Sequence, residues 1–343
     1  MIFLVLVPHT ELKVKKANIV IVGATGNVGR EMIAVLEERN FPIARLKLVA
    51  SEKSSGKFMR YRGFSQGVEG LSKEIFHGYD IALFSAGEAV SRTWAPVAWE
   101  SGCVVIDNSN AWRMDDEVPL VIPEVNPETI ADYIRKGIIA NPNCSTIQMV
   151  MALSPLDKNP HHYGIQNIIV STYQSVSGAG AEAEARLAEG SHEFDVIPQI
   201  GEFLEGGTCE EEAKMIRETK KIMEKPHLNI VANTVRVPIL RGHSEFVLFN
   251  FDYSYISIEV VKALLASAPC IKLTDSYPIA QDAVGTDYVL VGRVREEKIS
   301  GADDNQKWFS MWVVADNIRK GAATNTVQIA ELLWNGYLKK ASN

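Results

Sequence analysis

The sequence predicts an α/β fold in two parts: a parallel sheet wound with helices, followed by a domain of different architecture on an antiparallel or mixed sheet. Three observations carry this prediction. From Ala17 onward, β-branched runs alternate with helix-period runs, as they do in βα units. Beyond the middle of the chain the rhythm changes to long, strictly alternating strands, which suit a sheet with one face covered and the other solvated or docked. The chain also has 343 residues, 46% apolar and 22% charged, which is more than one hydrophobic core usually serves.

The elements can be justified in order. The first sixteen residues, "MIFLVLVPHTELKVKK", hold a short apolar run with no preceding positive charge and no small-residue cleavage site, so they read as a leader outside the fold rather than a signal peptide. "NIVIV" (Asn18 to Val22) is a β-branched strand, and Met32, Val35 and Leu36 fall on one side of the helix that follows. "RLKLVAS", "DIALFSAG" and "CVVIDNS" continue the strand series to Ser109. Pro142 and Asn143 close a further apolar run, and "STIQMVMAL" then opens a helix with Ile147, Val150 and Met151 on its buried side. "SEFVLFNFDYS", "TDYVLVGRVRE" and "QKWFSMWVVADN" are the long alternating strands. A closing helix, "GAATNTVQIAELLWNGYL", carries Val327, Ala330, Leu333 and Leu338 on its apolar face.

Composition excludes several classes. A net charge of -7, with the basic residues scattered, provides no field for nucleic acid. The longest apolar stretch falls far short of the roughly 20 residues that span a bilayer. Cys103, Cys144, Cys209 and Cys270 lie tens of residues apart, with no C-x-x-C pair and no histidine spaced to complete a metal site, so no metal is expected and a reducing cytoplasm fits best.

Two stretches carry chemistry. In "NIVIVGATGNVGRE", Gly23, Gly26 and Gly29 stand between a strand and a helix start, where backbone can approach a pyrophosphate and helix N–H groups can bind it. The spacing is G-x-x-G-x-x-G rather than G-x-G-x-x-G, and an ordinary tight turn is the plainer alternative. After the second strand, "LVASEKSSGK" offers Ser51, Lys53, Ser54 and Ser55, groups suited to a 2'-phosphate, so NADP is preferred over NAD; Glu52 is the residue that would suit NAD.

The second stretch is "NPNCST". Cys144 sits at a helix N-terminus, where unpaired N–H groups and the helix dipole favour the nucleophilic thiolate, whereas Cys103 and Cys270 read as small buried hydrophobes. A thiolate beside a nicotinamide suggests attack on an acyl carbon with hydride transfer to or from the adduct. His243, in "TVRVPILRGHSEF", is a candidate acid–base partner, although alone it would pass for a loop histidine.

"GATGNVG", "DNSNAWRMD", "PLVIPEVN", "NPNCST", "STYQSVSGAG", "EEEAKMIRETKKI", "VRVPILRGHSEF" and "GAATNTVQIAE" together resemble the bacterial aspartate-β-semialdehyde dehydrogenases, from about Lys16 to the end. The resemblance implies a glyceraldehyde-3-phosphate-dehydrogenase-like architecture. A Rossmann-type NADP domain would cover residues 17–143 plus 321–343, and a mixed-sheet α+β catalytic and dimerisation domain residues 144–320. It places the acylated nucleophile on Cys144, the acid–base catalyst on His243, and on Gln174 the group that orients the thioester. Arg236 would take the substrate carboxylate and Glu211 its ammonium, with Lys214, Arg113 and Asn143 at the phosphate. Its cofactor residues would be Thr25, Gly26, Asn27 and Val28, Lys53 with Ser54, the turn from Ser85 to Gly87, Ser177 and Gly178, and Asn325. Lys53 stands where the family usually has arginine, keeping the charge but losing the two-pronged phosphate geometry.

Bland readings exist beside these. Thr208 followed by Glu211 is a capping box, Glu211 with Lys214 an i,i+3 ion pair, and Arg113 a surface loop arginine. The implied reaction is reduction of L-4-aspartyl phosphate by NADPH to aspartate semialdehyde, feeding lysine, threonine and methionine synthesis, by a homodimer or a pair of dimers. N-acetyl-γ-glutamyl-phosphate reductase is the rival of the same class, and a catalytically silent nucleotide-binding homologue the rival of another.

Overall fold

A computed structural model describes residues 15–158, 164–190, 195–251, 256–299 and 306–339. Residues 1–14 of the expected leader lie outside the described residues.

The first half comprises β1 (Ala17–Val22), α1 (Asn27–Glu38), β2 (Ile43–Val49), β3 (Phe58–Tyr61), β4 (Phe64–Glu69), β5 (Ile81–Phe84), α2 (Glu88–Glu100), β6 (Val104–Asp107) and β7 (Ile138–Ala140). These strands form a seven-stranded sheet in the order β3-β4-β2-β1-β5-β6-β7, parallel except for the β3–β4 hairpin. The inner strands β1, β5, β6 and β7 read as near-continuous apolar runs because both of their faces are covered, whereas β2 and β4 toward the edge keep polar, exposed positions. The edge hairpin was not legible: "FMRY" and "FSQGVE" are short and largely exposed, and they carry no two-residue apolar period.

The second half comprises α3 (Cys144–Asp157), β8 (Ile165–Gln174), α4 (Ala181–Ala188), α5 (Glu210–Ile222), β9 (Asn229–Arg236), β10 (His243–Phe251), α6 (Ile258–Ser267), β11 (Ile271–Leu273), α7 (Ala280–Ala283), β12 (Val289–Glu297), β13 (Trp308–Ala315) and α8 (Thr324–Leu333). Its six strands run β11-β12-β13-β10-β8-β9, with β8–β9 and β11–β12 parallel and the rest antiparallel. This is the mixed sheet that the alternating strands predict. One face is buried; the other leaves Ile169, Tyr173 and Val231 exposed.

Two expectations need correction. α3 is not amphipathic: every residue from Ser145 to Ser154 is buried, because the helix is wedged between the second sheet, α5, α6 and the turn before α8. The closing helix begins with a π-helical turn, Arg319–Ala323, and ends in another, Trp334–Leu338. Such insertions recur at functional sites. As expected, Val327, Ala330 and Leu333 pack into the core beneath the first sheet, beside Ile19, Ile21 and Leu36.

Ion pairs cross between the halves. Glu31 of α1 accepts from Arg241, just before β10, and from Arg319 of the π-turn, at 2.9 and 3.1 Å. Arg241 also donates to Asp316 at 2.9 Å. The network ties the first helix of the glycine loop to the segments that carry His243 and flank Cys144.

Candidate active site

The glycine loop has the close contacts that its glycines predict. Gly23 has φ +84°, and a Cβ there would lie 2.2 Å from the carbonyl oxygen of Ser85. A Cβ on Gly29 would lie 2.3 Å from the carbonyl oxygen of Gly23. Side chains at either position would pry the loop away from the Ser85–Gly87 turn or from α1. Gly26 is the N-cap of α1, so the first N–H groups of that helix lack acceptors within it and point into the cradle, and the buried side-chain amide nitrogen of Asn27 has no hydrogen-bond partner among the described residues. This geometry fits a dinucleotide pyrophosphate.

Beyond β2, the Ser54 hydroxyl pairs with Thr25 at 3.3 Å and accepts from Lys57 Nζ at 3.5 Å. Ser51 and Lys53 are exposed on the same loop. The Glu52 carboxylate turns toward Gly70, where a Cβ would sit 2.5 Å from Oε1. Lys57 is a cation that sequence reasoning missed, because a loop lysine has no distinguishing pattern.

The reactive constellation is built at the N-terminus of α3. Asn143 is its N-cap, and its Oδ1 accepts from the backbone N–H groups of Ser145 and Thr146 at 2.9 and 3.2 Å. Asn143 Nδ2 donates to Glu211 Oε1 at 2.8 Å, and Gln174 Nε2 donates to the same oxygen at 3.2 Å. Glu211 Oε2 faces Lys214 Nζ at 3.6 Å. The capping box of α5 lies one residue later than expected: Glu212, not Glu211, accepts from the backbone N–H of Cys209. That leaves the Glu211 carboxylate turned toward the cysteine.

Arg113 is not a surface arginine. It is buried, donating from Nε to Asn141 O, from Nη1 to Glu218 Oε1 and from Nη2 to Asn108 O, all near 3.0 Å. Of its five N–H donors, two remain for a ligand. Glu218 also accepts from the backbone N–H of Asn143, so one buried carboxylate locks both arginine and cap.

His243, at the start of β10, is fully buried. The Ser175 backbone N–H donates to its Nδ1 at 3.0 Å. A backbone amide can only donate, so in the neutral ring the proton is on Nε2. Nε2 has no protein partner and lies against Gly178, where a Cβ would be 3.5 Å from Nε2 and 3.3 Å from Arg236 Nη1. Arg236 Nη1 donates to Ser175 O at 2.6 Å. Ser175, Ser177 and Gly242 all donate to Asn317 Oδ1.

One cavity of about 340 Å³ gathers Arg113, Asn143, Cys144, Gln174, Lys214 and Arg236 on its lining, with His243 set behind Gly178 rather than on the lining itself. Ser177, Gly178, Glu211 and Val28 of the glycine loop line it too. Sequence reasoning missed Asn108, Asn317 and Gly321 of the lining, and Ser175, which holds His243. Gly321, in the π-turn, comes so near that a Cβ would be 2.9 Å from Cys144 Cβ. Asn325, expected at the cofactor, is instead fully buried. Its amide donates to Val121 O and Asn141 Oδ1, and its oxygen accepts from Lys320, so it braces the loop before Cys144. A larger groove of about 950 Å³, around Leu240, Tyr277 and Trp312, includes none of the constellation.

Electrostatics correct one expectation. Cys144 is not an acidic thiol: burial and the Glu211 carboxylate push it up to about 12, against the pull of Arg113, Arg236 and the Ser145 N–H. Its surface is partly open to the cavity, which moderates the effect of the protein crowding it, but the direction is upward. Burial, with Arg236 adding to it, pushes His243 down to about 3. Thiol and imidazole are therefore both neutral near pH 7. Alkylation of Cys144 by iodoacetamide should accordingly be slow in the unliganded protein and rise about tenfold per pH unit between pH 7 and 9. A plateau beginning below pH 8 would contradict that assignment.

Comparison with known proteins agrees with the fold and the motifs. Residues 18–133 match the family model "Semialdehyde dehydrogenase, NAD binding domain", and residues 153–320 match "Semialdehyde dehydrogenase, dimerisation domain". The aspartate-semialdehyde dehydrogenase of Aquifex aeolicus is 49% identical over 92% of this chain and 97% of its own length. The crystal structure of aspartate semialdehyde dehydrogenase II complexed with ASA, from Vibrio cholerae, superposes with TM-score 0.88 at 43% identity, covering 94% of this chain and 99% of that one. The Candida albicans enzyme with NADP superposes with TM-score 0.72 at 26% identity, over 93% and 98% of the two chains. With a nucleotide cradle, a buried Cys–Gln–His site and family matches across both halves, the chain belongs to the aspartate-semialdehyde dehydrogenase family.

Proposed function

We propose that this chain is an NADP-dependent aspartate-semialdehyde dehydrogenase that converts L-4-aspartyl phosphate to L-aspartate 4-semialdehyde through a thioester on Cys144. The observation that carries the reading is the convergence of Cys144, Gln174, Glu211 and Arg236 on one cavity beside the glycine loop, with the unpartnered Nε2 of His243 behind Gly178 of its lining.

Each side chain has a task that its geometry suits. The unengaged guanidinium nitrogens of Arg236 take the substrate α-carboxylate, and Glu211 takes its ammonium. Lys214 and the two spare N–H donors of Arg113 take the phosphate. The Cys144 sulfur attacks the acyl carbon, the C–O bond to phosphate breaks, and the thiol proton departs with the phosphate. Asn143 and Gln174, both anchored on Glu211, hold the resulting thioester in place. Bound nicotinamide supplies a hydride to that carbon.

His243 Nε2–H then donates to the oxygen as negative charge gathers there. As the aldehyde carbonyl re-forms, the C–S bond breaks and the departing thiolate takes a proton from solvent, while the imidazole keeps its own proton on Nε2. Ser54, Lys53 and Lys57, with Glu52 turned away, suit the 2'-phosphate of NADP. Residues 17–143 plus 321–343 form the nucleotide domain in this reading, and 144–320 the catalytic one. The exposed apolar face of the second sheet supports a homodimer. The site of action is the cytoplasm, in supply of lysine, threonine and methionine.

Aspartate semialdehyde with phosphate should reduce NADP, and reduce NAD more slowly. Lack of NADP reduction under those conditions would overturn the reading. Glu211→Gln should raise KM for the semialdehyde about tenfold or more, since a charge-assisted contact to its ammonium is lost. An unchanged KM would remove Glu211 from the ammonium site and reopen an N-acylated substrate.

A further inference from the structure

Among the buried acids that the mechanism leaves unused, Glu245 stands nearest the reactive layer in sequence, beside His243. Glu245 lies two residues after His243 on β10, so its side chain points to the same face of the sheet. It is completely buried, and neither carboxyl oxygen has a hydrogen-bond partner. Across β8 it pairs with Thr172, and across β13 with Val313. Thr172 Oγ1 accepts from Gln174 Nε2 at 3.3 Å.

Above Glu245 runs α3. Gln148 of that helix is four residues beyond Cys144 and therefore on the same side, one turn deeper. Gln148 is also completely buried, and both its amide oxygen and its amide nitrogen lack partners. Gln148 and Glu245 face each other across the seam between helix and sheet, near enough for the amide to act on the carboxyl though no hydrogen bond of full geometry joins them. Cys144, Gln174 and His243 thus form one layer, with Gln148, Thr172 and Glu245 directly beneath it.

An isolated carboxylate at this depth would be costly, because no cation among the described residues acts on it. The charged group that acts on it is Glu211, from α5, which is of the same sign. Burial, against the pull of Gln148 and with Glu211 adding to it, holds Glu245 well above the usual carboxylate range. A protonated carboxyl solves the problem: its O–H can donate to Gln148 Oε1, and its C=O can accept from Gln148 Nε2, once either side chain rotates to close the gap.

We propose that Glu245 is a positioning residue of the dehydrogenase: a neutral carboxylic acid whose pairing with Gln148 fixes the floor on which Cys144 and Gln174 are held. Neutrality matters as well as shape. A second carboxylate beside Glu211 would oppose the negative charge that the reaction places on sulfur and oxygen. The kinetic part of this proposal rests on the reading above, whereas the protonation state does not.

Two measurements on the full-length protein test it. At neutral pH, the infrared difference between wild type and Glu245→Gln should show a protonated carboxyl stretch belonging to the wild type. A carboxylate band pair in its place would overturn the proposal, whatever the enzyme's activity. In turnover, Glu245→Gln should keep kcat within about twofold, because an amide preserves both donor and acceptor. Glu245→Met should lower kcat about tenfold with KM and NADP affinity unchanged, as expected of a small misplacement of reacting groups. Loss of activity in Glu245→Gln, or full activity in Glu245→Met, would overturn it. Should Glu245→Met not fold, the infrared band and the glutamine variant still decide.

Discussion

Cys144→Ser should lower kcat by at least about 10³-fold while leaving NADP affinity within about twofold. The hydroxyl is a far weaker nucleophile and a far poorer leaving group than the sulfur, and nothing in the cavity compensates. The imidazole is neutral with its proton on Nε2, so it cannot serve as base toward a serine hydroxyl in its resting tautomer. NADP affinity is spared because the glycine loop is built on β1 and α1 and touches α3 only across the cavity. Steady-state turnover beside a cofactor titration checks both parts. Residual turnover within about tenfold of wild type would remove the sulfur from the mechanism.

His243→Gln should lower kcat about 10²- to 10³-fold with little change in KM. The imidazole does not touch the groups assigned to the carboxylate and ammonium, so ground-state binding is untouched. What is lost is a donor aimed at the oxygen where charge develops, held there because Ser175 fixes its other nitrogen. The wild-type profile should also lack an inflection between pH 6 and 7 for the unliganded enzyme. With His243 pushed down to about 3, its protonation lies below the working range. A loss of less than about threefold, or a clear inflection near pH 6.5, would contradict this role.

Much of the fold was legible because its signals are strong and local. The β-branched run at Asn18–Val22, the glycines behind it and the long alternating strands at β10, β12 and β13 each repeat one period over many residues. The site was legible in part for another reason: Cys144 sits at a helix start, which proline and asparagine announce. The gaps have physical causes. β3 and β4 are short edge strands that bury little, so no alternation marks them. Asn325 was not legible in this respect, because sequence locates it on a helix without saying which face meets the cavity; its side-chain oxygen and nitrogen both bond inside the core. The acidity of Cys144 was misjudged because the helix terminus is a local feature. Burial and the Glu211 carboxylate, brought in from a helix more than sixty residues away, outweigh it.

The functional account stands or falls on acylation of one sulfur. Rapid mixing of the protein with aspartate semialdehyde and NADP, without phosphate, followed by acid quench and peptide mass analysis, observes that step directly. The account predicts a burst of one NADPH per active site and an aspartyl adduct on the peptide containing Cys144, discharged when phosphate is added. A burst with the adduct on another residue, or steady NADPH production with no adduct, would contradict it.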